Sequence, residues 1–63
     1  MLTIDATPEI WLSVGKAIKK ARIDRDVQQR DLAGEAGISI SYLSQIERGV
    51  REVSTEVLRS IAA

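Results

Sequence analysis

Apolar residues recur at helical spacing in four separate stretches of this 63-residue chain, each bounded by residues that start or stop helices. Ile10, Val14, Ile18 and Ala21, with Trp11 and Ala17 beside them, predict a first helix over about residues 8–24. Thr7-Pro8-Glu9 is its start: threonine caps, proline fits the first helical position, and the carboxylate favours the positive end of the helix dipole. Asp26 is the expected stop, since aspartate tolerates the left-handed conformation better than most residues. A second helix is expected from Gln29 to Ala36, with Leu32 and Ala33 inward. It is weakly specified, because Gln28 is a poor cap and Gly34 costs about 1 kcal/mol relative to alanine.

Gly37 supplies the stop that follows, and Ser39 caps a third helix. Ile38 and Leu43 are spaced as a hydrophobic staple across its start. Leu43 and Ile46 point to the core. Ser41, Ser44, Gln45 and Arg48 fall at i, i+3, i+4 and i+7 and share the opposite, polar face. Gly49 ends this helix, Val50–Val53 form a loop, and Ser54 caps a fourth helix with Val57, Leu58 and Ile61 as its apolar side. Met1–Ala6 carries no period and reads as a loose arm, which leaves residues 7–63 as one all-α, compact four-helix domain.

Such a short chain buries only roughly 60% of the surface it exposes when unfolded, so the expected stability is marginal. It contains no cysteine and no histidine, which leaves no disulfide and no zinc- or iron-type ligand set. The same absence, with no carboxylate pair at a cleft-like spacing, argues against an enzyme and against a cofactor. The first ten residues hold neither a basic leader nor a long apolar run, so a cytoplasmic location is expected. Nine Lys+Arg balance nine Asp+Glu, and zero net charge argues against a partner gripped by bulk charge. The distribution is uneven: Lys16, Lys19, Lys20, Arg22, Arg25 and Arg30 face only two acids before Asp31. On charge alone this cluster is a solvated helix face; it is also placed to approach phosphate.

Two short helices joined at Gly37-Ile38-Ser39, the second exposing small polar side chains, have the form of a helix-turn-helix, whose second helix lies in the major groove of DNA. The sequence resembles the lambda-repressor/Cro-type (XRE) family over Val14–Ala62. The pattern is carried by Gly15-Lys16-Ala17-Ile18-Lys19-Lys20-Ala21-Arg22, by Gln28-Gln29-Arg30-Asp31-Leu32-Ala33, by the run from Gly37 to Gly49, and by Val53-Ser54-Thr55-Glu56-Val57-Leu58-Arg59-Ser60-Ile61-Ala62. Departures are Ala21 for leucine, Asp26 for glycine, Gln28 for the capping serine and Val53 for proline. The family's fifth helix is absent, so the domain reads as C-terminally short, and Leu58 and Ile61 are expected to lack partners.

The resemblance implies a site. Ile40, Ser41, Ser44 and Gln45 would meet base edges, with Gln45 the strongest reader because its amide can both donate to and accept from adenine. Gln29, Tyr42, Arg48, Arg51, Ser54 and Lys19 would hold phosphates. Each has a plainer alternative: short polar residues keep a helix soluble, Tyr42 packs on the second helix, and Arg51 pairs with Glu52 in a solvated loop. Arg22 and Glu47 would form a structural ion pair between the first and third helices. The implied function is sequence-specific binding of double-stranded DNA by a transcriptional regulator, as a homodimer and by family tendency a repressor, with dimer contacts in a C-terminal region beyond this chain. A protein-interaction module of the same fold, or an antitoxin-type autorepressor, are the alternatives.

Overall fold

The structure, a computed structural model, describes residues 8–62; the expected arm at Met1–Ala6 and the Thr7 cap lie outside the described residues. Four helices run in order: α1 Pro8–Asp24, α2 Gln29–Ala36, α3 Ile40–Arg48 and α4 Thr55–Ala62. The four-helix, all-α reading of the sequence is the architecture found. α3 is the central element, packed against both α1 and α2, while α4 packs on α2.

The helices stop where they do because three residues take the left-handed conformation: Asp26 (φ 57°), Gly37 (φ 71°) and Gly49 (φ 76°). Each stop closes the same way. The residue after it returns its N–H to a carbonyl five positions back, as Val27 to Arg22 (3.1 Å), Ile38 to Ala33 (3.0 Å) and Val50 to Gln45 (3.1 Å). The left-handed residue itself bonds three positions back, completing a Schellman motif that satisfies carbonyls otherwise left open at the helix end. Val27 and Ile38 then fold onto the core, whereas Val50 stays 66% exposed. At the starts, the Ser39 hydroxyl accepts from the Tyr42 N–H (3.0 Å) and the Ser54 hydroxyl from the Val57 N–H (3.2 Å). Gln28 makes no side-chain cap bond, in keeping with glutamine's poor capping.

The core is a single cluster of Trp11, Ile18, Leu32, Ala33, Leu43, Ile46, Val53 and Ile61. On α1 the buried positions are Trp11, Gly15 and Ile18, with Val14 half-buried against the core; Ile18 and Val14 face inward as the sequence reading has them. Ile10 is 46% exposed and Ala21 is also at the surface, so these two are not part of the inward stripe, and Trp11 takes the inward position at the start of the helix. Ile61 is buried and Leu58 half-buried against the cluster, so the apolar side of α4 is partly covered rather than unpartnered. Val53, which replaces the family's proline, is only 1% exposed and carries the loop into the core.

Gly15 has a steric reason to be glycine. A Cβ there would run into the main-chain carbonyl oxygens of Ile46 and Glu47, and backbone cannot yield as a side-chain tip can. α1 therefore crosses the C-terminal half of α3 at close range. Gly34 has no such constraint, since a Cβ there meets nothing within 4 Å. The two glycines should respond oppositely to alanine. Gly34→Ala is expected to stabilise by roughly 1 kcal/mol, raising the melting temperature by about 4–8 °C, and Gly15→Ala to destabilise strongly. Thermal melts followed by circular dichroism check both; equal responses would contradict the close approach.

Candidate nucleic-acid interface

α3 buries Leu43, Ile46 and Glu47 and turns Ser41, Ser44, Gln45 and Arg48 away from the core. Ser41 and Arg48 are exposed and Ser44 and Gln45 half-buried, so the four form one polar ridge along the helix. Ile40, 47% exposed, begins the helix beside that ridge. Among the described residues, the side chains of Ser41, Ser44, Gln45 and Arg48 have no partner within the protein, which leaves their donors and acceptors open.

The ridge is held in place from behind. Glu47 is the one buried charged residue among those described. Its carboxylate receives Arg22 through two parallel bonds, Nε to Oε2 at 2.7 Å and a terminal guanidinium nitrogen to Oε1 at 3.0 Å. The other terminal nitrogen of Arg22 donates to the Val27 carbonyl at 2.9 Å, while the Val27 N–H returns to the Arg22 carbonyl. Arg22 thus ties the end of α1, the α1–α2 turn and α3 together. Only 12% of the Arg22 side chain and 2% of the Glu47 side chain are exposed. Burial by itself would push the Glu47 carboxyl upward; the bonds from Arg22 and Gln29, with the charges of Arg22 and Lys19, outweigh it and hold the group below its ordinary value. The bond to Glu47 raises the Arg22 guanidinium against the opposing cost of burial.

Gln29, at the first position of α2, donates its Nε2 to Glu47 Oε1 at 3.0 Å. This partner is not evident from sequence, because the two residues lie 18 positions apart. One amide N–H is thereby committed inward; the second N–H and the unpaired backbone N–H groups at the start of α2 remain for an anion. On the other flank of the ridge, Tyr42 is half-buried against the core. Its hydroxyl donates to the Glu52 carbonyl at 3.4 Å, and the Arg51 guanidinium lies 5.4 Å from its ring centroid. Arg51 makes no ion pair with Glu52. Ser54 is occupied as the α4 cap, and Lys19 is exposed on α1, near enough to Glu47 to act on its charge. Lys20 pairs with Asp24 on the solvent side of α1 at 2.7 Å.

Comparison with known proteins follows the same lines. A family model described as Helix-turn-helix matches residues 18–63. An uncharacterized HTH-type transcriptional regulator of Mycobacterium tuberculosis is 46% identical over 48 residues, covering 76% of this chain and 34% of its own length. The chain spans about a third of the length of the curated relative it matches there. Among solved structures, the clp gene regulator ClgR from Corynebacterium glutamicum superposes with a TM-score of 0.84 at 38% identity, covering 92% of this chain and 74% of that one. The restriction-modification controller protein C.Esp1396I gives 0.77 at 33% identity, with 81% and 67% covered.

Two outcomes follow from the Arg22–Glu47 pair. Glu47→Ala leaves the largely covered Arg22 guanidinium without its carboxylate and should cost on the order of 3–5 kcal/mol, enough to unfold so small a domain. A variant that keeps full helicity and the parent's melting point would contradict the pairing. Because the folded carboxyl lies below its unfolded value, its stabilisation is present above the unfolded pKa and disappears as pH falls through the folded one. The parent's melting temperature should therefore drop in the acid range below about pH 5. The double replacement Arg22→Met with Glu47→Leu, which strands no charge, should lose part of that acid dependence while remaining folded.

Proposed function

Since this chain belongs to the helix-turn-helix family, we propose that it binds double-stranded DNA in a sequence-specific manner, with α3 in the major groove, as the DNA-binding part of a transcriptional regulator. One observation carries the reading: the polar ridge of Ser41, Ser44, Gln45 and Arg48 faces outward with its hydrogen-bonding groups open, on a helix whose opposite face is fastened to α1. Gln45 reads a base through its amide, which matches the paired donor and acceptor on adenine, and the Ser41 and Ser44 hydroxyls adapt to their neighbours. Ile40 packs on a thymine methyl. Gln29, Lys19, Arg48, Arg51 and the start of α4 at Ser54 set the register on the sugar-phosphate backbone without reading sequence.

The regulator acts as a homodimer, which calls for two-fold related half-sites about one helical turn, roughly 34 Å, apart. An apolar recess of about 180 Å³, lined in part by Ala17, Ala21, Leu58 and Ile61, lies between α1, α2 and α4. It lies on elements other than the ridge, so both surfaces can be engaged together. Repression of the bound promoter is the regulatory sense we assign, and no catalytic step is part of it.

Selection of bound duplexes from a randomised pool is the first test: the protein should enrich one sequence. Gln45→Ala should keep the fold and relax preference at one base pair, with a loss of about 1–3 kcal/mol; a uniform loss over all sequences would make Gln45 a backbone contact instead. With about four to six phosphates engaged per subunit, affinity should fall steeply as salt rises. Binding indifferent to salt, or no enrichment at all, would overturn the proposal.

A further inference from the structure

At about 100° per residue, the buried face of α3 centres on Leu43, and the ridge opposite it on Ser41 and Arg48. Glu47, which holds Gln29, borders one side of that ridge; Tyr42 borders the other, next to Gln45. The Tyr42 ring, half-buried against the core, carries the Arg51 guanidinium over its face, and its hydroxyl pins the Glu52 carbonyl of the same loop. Arg51 itself is exposed and has no carboxylate partner among the described residues. A ring face differs from a carboxylate as a seat for arginine. It orients the plane but neutralises no charge and consumes none of the five N–H donors, which stay directed outward from the edge.

We propose that Tyr42 is a positioning residue for phosphate recognition: its ring holds Arg51 beside the recognition ridge, on the flank opposite Gln29, so that the two grip the backbones on either side of one major groove. The inference rests on the DNA reading above and adds to it the group through which Tyr42 acts. An arginine on a free loop must be ordered as it meets phosphate; one already seated on a ring has lost that freedom beforehand, and the association is tighter by the same amount. A cation on an exposed aromatic face is held with an energy equivalent to about two- to fivefold in an equilibrium constant.

The duplex that the parent selects from a randomised pool serves as probe, with affinity measured by fluorescence anisotropy over a series of salt concentrations and a melting curve for every variant. Arg51→Gln is expected to weaken binding about three- to tenfold at low salt and to reduce the salt slope by about 1. Tyr42→Leu, which keeps an apolar side chain against the core, should weaken binding about two- to fivefold in the parent and add nothing in the Arg51→Gln background. Tyr42→Phe, which loses only the bond to Glu52, should bind like the parent. If Tyr42→Leu costs as much without Arg51 as with it, or Tyr42→Phe is as damaging as Tyr42→Leu, the ring does not act through Arg51 and the proposal is overturned. A parent that selects no duplex would overturn the DNA reading and this proposal together, a result distinct from a parent that binds but shows no coupling.

Discussion

The bidentate pair between Arg22 and Glu47 is the contact on which the arrangement of the chain depends. It joins residues 25 positions apart, and almost none of it meets water. Glu47 occupies the buried face of α3 immediately beside Arg48 and two positions from Gln45, so whatever fixes Glu47 also fixes the direction of the ridge. Gly15 makes the pairing geometrically accessible by letting α1 come against the Ile46 and Glu47 carbonyls. In energetic terms such a pair adds little over well-packed apolar residues, because taking two charges out of water offsets most of their attraction. Its contribution is orientation: the two parallel bonds, with Arg22 also bound to the α1–α2 turn, define how the first and third helices sit.

Much of this is written locally in the chain. Asp26, Gly37 and Gly49 are residues that tolerate positive φ, each falls at the end of an apolar period, and each closes a Schellman motif. Ser39 and Ser54 are good caps and act as caps. Helix boundaries are therefore legible without coordinates. What escapes a reading of the sequence is whatever depends on the distance between helices. Gly15 and Gly34 look alike in sequence, both interior to a helix, and only the proximity of α3 separates them. The α1 stripe keeps Val14 and Ile18 but takes in Trp11 and Gly15 and leaves out Ile10 and Ala21, because which flank is covered depends on where α3 lies against it.

The same distinction holds at the site. The polar ridge can be seen from spacing alone, since it lies within a single helix. The bond from Gln29 to Glu47 and the placement of Arg51 over the Tyr42 ring join separate elements, and no local pattern announces them. Both change the chemistry expected of the residues involved. Gln29 offers one amide N–H outward rather than two, and Tyr42 is bonded to the loop before α4.

Orientation of α3 can be followed directly by nuclear magnetic resonance, recording backbone and side-chain N–H shifts of the labelled protein as the selected duplex is added. If α3 lies in the groove with its back fastened to α1, the largest changes appear at Ser41, Ser44, the Gln45 amide and Arg48, while the Arg22 Nε–H signal, held against Glu47, stays where it is. Changes concentrated around Leu58 and Ile61 with the α3 ridge silent, or a displaced Arg22 signal, would contradict that arrangement.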